Sequence, residues 1–536
     1  MSISRRSLMK AGLVGASSVL LSSKDDWLGQ ITASDDCGVA SGSPTENGFI
    51  IWTRIPGFGA EFRNEIDVKY EVSSSQRFER RSIVASGEVR TNAEKDFTVK
   101  VKVEGLESNL TFFYRFFAGS YVSEVGRATT LPPITSDLSS FSFGVVSCQK
   151  YSDGYYTALQ ALNAEDVRVC IHLGDHIYEQ ETGKVRSLDD PLKGEQAVSL
   201  EDYRKKYRHY LTDRHMRETR KRFTWIDLLD DHELFNDYAG DRDRNSQKIR
   251  VKAAYQAYCE YMPVDFETTI DASDRPSVHS VSSIKIGSLI QFFRMDQRQF
   301  RQPNPCSRAF VTKRCEAAEN ANHTMLGHNQ FDWLVESLGE SAAKWKILLS
   351  EVMFTPLTVK FLGMMKGMTD QNVEIVSKKL NLNSPSFANN QTFLNLDAWD
   401  GYPAEREKLL DFVANERIPN VVALTGDIHA GVHAKVLRNG QPSSATPVFY
   451  EIVTTSITSS TLGEKLGPIF GSLAGNIISK SNAHVEWSNV YSHGYSVVTV
   501  TPFEFKVRQM AVSTIDEPNA SLSVSKVFTL KDGFNL

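Results

Sequence analysis

A chain of 536 residues is too long for one ordinary domain and buries a large core. Apolar residues at 41% and charged residues at 23% exclude disordered and collagen-like classes, and a net charge of -5 gives no overall pull toward nucleic acid. Six cysteines without a CxxC pair exclude a disulfide framework or a zinc ribbon.

The first element is a leader. In "SRRSLMKAGLVGASSVLLSS" the paired Arg5 and Arg6 precede an apolar run of small residues that is too short to span a bilayer. That order is an export signal. The paired arginines point to the Tat translocon as a transient partner, with residues 1–30 as signal and a periplasmic or secreted destination.

Residues 31–135 carry short alternating strands: "GFIIWTRI", "IDVKYEVSS", "FTVKVKVEGL" and "TFFYRFFAGS". No helical period intervenes, which predicts an all-β sandwich of the immunoglobulin or fibronectin kind. "LPPITSDLSS" reads as a linker. Over residues 136–536 strands alternate with helical stretches, which predicts an α/β layered domain.

Several of these strands end in residues that bind metals or carry protons. "FSFGVVSCQ" ends in Cys148, and "VRVCIHLGD" runs into Asp175, His176, Tyr178 and Glu179. "FTWIDLLDDHE" ends in Asp230, Asp231, His232 and Glu233, "SLIQFFRMDQR" in Asp296 and Arg298, and "KWKILLSEVM" near Glu351. "NVVALTGDIHAGVH" ends in Asp427, His429 and His433. Ligands of open α/β sheets sit outside the carboxyl ends of the strands, so one shared metal site is the economical reading. Carboxylates and imidazoles on separate loops can hold two ions that bridge a phosphoryl group and activate a water. Asp175 suits the bridging position, because a carboxylate offers one oxygen to each ion. His232 can protonate a leaving oxygen. Asp427 and His429, two apart in an extended loop, point to the same side.

The segments "VSCQ", "HLGDHIYE", "DDHELFNDY", "NLDAWDGYPAERE" and "LTGDIHAG" together resemble the PhoD family of alkaline phosphatases and phosphodiesterases. "ASGSPTENGFIIWTRI" resembles that family's N-terminal domain, and "GDHIY" is similar to the GDxxY of purple acid phosphatases, whose Tyr binds ferric iron. The resemblance implies a metallophosphoesterase sandwich holding Fe3+ beside Ca2+, with Zn2+, Mn2+ or Mg2+ as alternatives. Cys148, Asp175, Tyr178 and His429 would surround the iron. Asp175, Asp231 and Asp427, with Asn236, would bind calcium, Asp231 standing where the superfamily usually has Asn. The donor chemistry agrees, since thiolate and phenolate suit a transition ion and carboxylates and amides suit calcium.

The activity implied is hydrolysis of phosphomonoesters, phosphodiesters or both by a metal-activated water. The alternatives are a phospholipase D-like phosphodiesterase on the same site and a non-catalytic cell-surface binding protein. No Asp-Ser-x-x-Thr or GxSxG nucleophile motif is present. Expected substrates are small phosphate esters, with phospholipids or teichoic-acid-like polymers as further candidates. A monomer without stable nucleic-acid binding is expected. Arg298 is expected on the substrate phosphate, a structural ion pair with Asp296 being its other reading.

Blander readings hold elsewhere. His172 lies within its strand and reads as structural, and His176 and His433 read as lying behind the ligands or at the surface. Glu233 either orients His232 or caps a helix. The run "YRKKYRHYLTDRHMRETRKR" places Tyr203, Tyr207 and Tyr210 on one face of a solvated amphipathic helix, a phosphate-attracting rim being the sharper alternative. Cys306 and Cys315 either pair or stay free. "AWDGYP" reads as a turn before a helix that starts with Pro403, and Trp399 and Tyr402 either pack or shape the pocket mouth. The stretch Ser456 to Ala483 does not match the family's pattern.

Overall fold

The computed structural model describes residues 36–535 apart from 59–63, 184, 187–190, 307–311, 360–391, 468–477 and 480. The expected export signal, residues 1–30, lies outside them. Among the described residues no helix is long and apolar enough to cross a membrane.

Two large sheets face each other. One has nine strands, in the order Leu522–Lys531, Glu504–Val512, Gly494–Val500, Phe141–Val146, Val169–His172, Thr224–Asp227, Val39–Gly42, Phe49–Arg54, Thr98–Val103. The other has seven: Ser282–Ile286, Ile290–Arg294, Trp345–Leu349, Val421–Thr425, Phe449–Val453, Gly431–Val436, Val485–Asn489. The period of two decides what each strand buries. Val145, Ile171 and Ile226 point inward to meet Phe292, Ile347 and Val422 of the facing sheet. Their neighbours Val146, Cys170 and Trp225 point outward beneath the helices Thr157–Leu162, Leu200–Tyr210, Arg214–Arg222 and Lys248–Tyr261. On the far side Phe293, Leu348 and Ala423 pack under Gly327–Gly339 and Pro403–Asn415. Strands buried on both faces read as continuous apolar runs, which is how they stand in the sequence.

The central strands of each sheet are parallel, so their carboxyl ends reach one edge. The N-terminal strands are wired into that framework. Val39–Gly42 pairs in parallel with Thr224–Asp227, Ser41 opposite Thr224, and carries Phe49–Arg54 and Thr98–Val103 beyond it. Phe49, Ile51 and Val101 turn to Val68, Val72 and Phe116 of a separate five-stranded sheet, forming the N-terminal β domain. Trp52 turns the other way, joins the core beneath the helices and donates from Nε1 to the Glu260 carbonyl at 2.7 Å. The stretch around residue 135, read as a linker, is therefore not a break in the hydrogen-bonded framework.

Two further expectations are sharpened. The basic run forms two helices, because Asp213 accepts from the N–H groups of His215 and Met216 and starts a new one. Tyr203, Tyr207 and Tyr210 are all buried beneath them. Cys306 and Cys315 are joined in a disulfide, with Cα atoms 5.6 Å apart.

Candidate metal centre

The strand ends turn sharply. Cys148, Asp175, Asp427 and His429 all have left-handed backbone, with φ of 57°, 62°, 64° and 53°. Such a conformation costs a residue with a side chain about 1–3 kcal/mol and persists where the surroundings over-determine it. Gly174 has φ 107°, and a Cβ there would sit 2.4 Å from Asp230 Cβ, so only glycine lets the two loops meet.

These turns bring the donors together. Ligating atoms of Cys148, Asp175 and His429 lie within 4.8 Å of one another, as do those of Asp175, Asp231 and His232, and of Asp230, Asp231 and Asp427. Asp175 joins the first two groups and Asp231 the last two. A further group on the same limit is Asp231, Asp237 and Asp397.

On the first side, the Tyr178 hydroxyl donates to Asp175 Oδ2 at 2.6 Å, accepts from Ser459 Oγ at 2.7 Å and lies 3.1 Å from His429 Nε2. His429 Nδ1 faces the Ser460 carbonyl at 2.9 Å, which places the proton on Nδ1 and leaves the Nε2 lone pair toward the cluster. The stretch Ser456 to Ala483 thus supplies partners to two ligands. The Cys148 and Gln149 N–H groups donate to the Gly174 and Asp175 carbonyls, locking the loops together.

His232 lies against the Tyr178 ring, centroids 4.1 Å apart, and its Nδ1 is 2.6 Å from Glu179 Oε2. Burial works against its charge, yet Asp175, Asp231 and Glu179 hold its pKa well above the ordinary value. Glu233, expected to orient His232 or cap a helix, does neither. It accepts from the N–H groups of Asp175, His176 and Asp230, and its Oε1 meets His176 Nδ1 at 3.0 Å. His176 Nε2 is 3.1 Å from Asp227, and against burial these two carboxylates push it up to about 9. This buried cation fastens the loops behind the ligands.

On the second side Arg298 is the centre. It is 1% exposed, with Nε on Asp230, Nη1 on Asp397, and Nη2 at 2.9 Å from Asp427 and 3.6 Å from Asp231. Its donors, expected on the substrate phosphate, lie on carboxylates in this structure. It does not pair with Asp296, which caps the helix Gln297–Phe300. Asn236 is exposed and gives its backbone N–H to Glu179 at 3.0 Å. His172 stacks on His176 at 3.7 Å, as a structural histidine. His433 packs between Trp487 and Phe528 in the core, and Trp399 and Tyr402 are fully buried, stacked on Phe354 and His323.

The residues fit a metal pair. Asp175 Oδ1 is buried and, among the described residues, without a hydrogen-bond partner, which is costly for a carboxylate oxygen. Burial raises the Asp175 carboxyl to about 7, with His232 opposing and Asp231 and Glu233 adding. Burial likewise raises Asp427 to about 7, against Arg298 and with Asp230 and Asp231. The Cys148 thiol and Tyr178 phenol are pushed well above their ordinary values by burial and by Asp175. A set of buried donors this reluctant to ionise beside one another is what multivalent cations stabilise.

Sequence reasoning singled out the ligand candidates and missed the groups that hold them: Asp237, Asp397, Ser459 and Ser460. Asp237 and Asp397 each stood inside a quoted motif. The serines stood in the stretch without a matching pattern.

The PhoD-like phosphatase family model matches residues 143–509, and the model of that family's N-terminal domain matches residues 30–132. Alkaline phosphatase D of Bacillus subtilis (strain 168) is 30% identical over 508 residues, spanning 92% of this chain and 80% of that protein. A solved structure of PhoD superposes with a TM-score of 0.78 at 28% identity, covering 93% of this chain and 90% of that one. A purple acid phosphatase from yellow lupin seeds shares the fold, with a TM-score of 0.51 at 10% identity over 92% of this chain and 73% of its own. Matched along most of its length, with its strand-end donors gathered at one sheet edge, the chain belongs to the PhoD-like phosphatase family and is a phosphoester hydrolase.

Proposed function

We propose that this hydrolase is an exported, metal-dependent phosphatase of phosphomonoesters, phosphodiesters or both. Cys148, Asp175, Tyr178 and His429 hold ferric iron, and Asp175, Asp231 and Asp427 hold calcium. The observation that carries this reading is the placement of Asp175, which is grouped with Cys148 and His429, whose Oδ2 accepts from the Tyr178 phenol and lies 4.0 Å from His429 Nε2, and whose Oδ1 is buried without a partner. Bound there, the ions supply polarisation of the phosphoryl oxygens and a lowered pKa for a coordinated water.

The remaining roles belong to the chain. His232 is held by Glu179, whose carboxylate favours the protonated ring against burial, so Nε2 can hand a proton to the departing alkoxide. Glu233 and the His176 cation keep the Asp175 and Asp230 loops in register. Arg298 confines the carboxylates of Asp230, Asp231 and Asp427 to one cluster while opposing their mutual repulsion. Arg5 and Arg6 and the Cys306–Cys315 disulfide support export to an oxidising compartment.

The test is hydrolysis of p-nitrophenyl phosphate and bis-p-nitrophenyl phosphate by the exported protein, with metal analysis. Turnover lost on chelation and restored by iron with calcium is expected. Full turnover in metal-stripped protein would end the metal-dependent reading. Replacing Arg5 and Arg6 by Lys should retain the protein in the cytoplasm, and unchanged secretion would end the Tat assignment.

A further inference from the structure

At the sheet edge opposite the metal centre lies a groove of about 770 Å³ between the N-terminal β domain and the catalytic helices. Phe113 and Arg127 line it from the β domain, and Arg214, Lys221 and Arg222 from the helix Arg214–Arg222. Arg168 adjoins it and is held on Asn109 at 2.9 Å. Lys221 is answered by Glu124 and Glu218. Arg127 is not answered: among the described residues its side chain makes no ion pair, and its Nε is buried without a partner. Arg222 Nε is likewise buried and unpartnered, and among the described residues its one hydrogen bond is a long one from Nη2 to the Glu165 carbonyl.

Burial and the neighbouring Arg222 and Arg168 hold the Arg127 pKa below its ordinary value, Asp166 opposing weakly. Two guanidinium groups with unsatisfied donors line one recess with a third, Arg168, beside it, an arrangement that favours an oxyanion as partner. Their planar donor forks match tetrahedral oxyanions. Part of the basic run in the sequence thus lines this groove.

We propose that this groove is a second oxyanion-binding site, taking the phosphate groups of a linear polyanion through Arg127, Arg222 and Arg168. Arg168 immediately precedes the strand Val169–His172, whose other end leads to Asp175. Four residues of strand span about 13 Å. A single small ester cannot reach both ends, whereas a chain of phosphates can dock here without entering the catalytic centre. The proposal deepens the phosphatase reading but stands on its own residues, since docking requires no turnover.

The test uses fluorescently labelled inorganic polyphosphate and the whole metal-loaded protein. Arg127→Gln with Arg222→Gln should weaken polyphosphate binding about tenfold or more and flatten its salt dependence, as two fewer phosphates are neutralised. Turnover of p-nitrophenyl phosphate should be unchanged. The melting temperature should stay level or rise, because the substitutions relieve repulsion. Arg214→Gln, on an exposed residue of the rim, should weaken binding less. Unchanged polyphosphate affinity in the double variant would overturn the proposal, as would a fall in melting temperature with binding intact. Loss of p-nitrophenyl phosphate turnover in the wild type would instead break the phosphatase reading and leave this one standing.

Discussion

The two sides of the centre solve one problem in different ways. Around Tyr178 the donors are a thiol, a phenol and an imidazole, and apart from Asp175 their closest partners are neutral: the Ser459 hydroxyl and the Ser460 carbonyl. Around Arg298 the donors are carboxylates, and a buried cation holds them, with Arg301 backing Asp397 at 2.8 Å. Neutral partners leave donor strength to the bound ion, which suits a transition metal. A cation among carboxylates limits their repulsion while keeping oxygens available, which suits calcium. Asp175 belongs to both sides.

The strongest way to break this comparison is Asp175→Asn. It alters the carboxylate common to both donor groups, so on the proposed reading metal content on both sides should fall and turnover should drop more than about a thousandfold. Retention of either metal at full stoichiometry with activity within tenfold of wild type would remove Asp175 from its bridging place. Next come Asp231→Ala and Asp427→Ala, assayed with p-nitrophenyl phosphate. Each should cost on the order of a thousandfold while leaving the iron in place, and added calcium should not restore the rate. Near-normal activity in either variant removes that residue from the ligand set.

Glu179→Gln sharpens the comparison from outside the ligands. It frees the His232 ring without touching a metal, so kcat should fall about ten- to a hundredfold with metal content unchanged. A loss of metal would instead make Glu179 part of the binding shell. The smallest effect belongs to Ser459→Ala, which removes the donor to the Tyr178 oxygen. It should shift the visible absorption while costing less than about tenfold in turnover, measured on the same sample.

The ligand candidates were legible because each stands at the carboxyl end of an apolar run, as Asp175 follows Val169–His172 and Asp427 follows Val421–Thr425. What was not legible depends on which loop faces which. Glu179 reaches His232 across 53 positions and Arg298 reaches Asp427 across 129, and nothing local marks either pairing. The parallel pairing of Ser41 with Thr224 is equally silent, since alternation announces a strand but not its neighbour. The burial of Arg298 among carboxylates likewise shows only in three dimensions.

The central claim is that the strand ending in Asp175 carries Tyr178 onto a ferric ion. It is tested most directly by the visible spectrum of the purified, exported protein beside its Tyr178→Phe and Asp427→Ala variants. A phenol ordinarily ionises near pH 10, and a ferric ion stabilises the phenolate at neutral pH. The wild type should be coloured, Tyr178→Phe should bleach or shift the band with the fold intact, and Asp427→Ala should keep it. A colourless, fully active wild type containing only zinc or calcium would contradict the account.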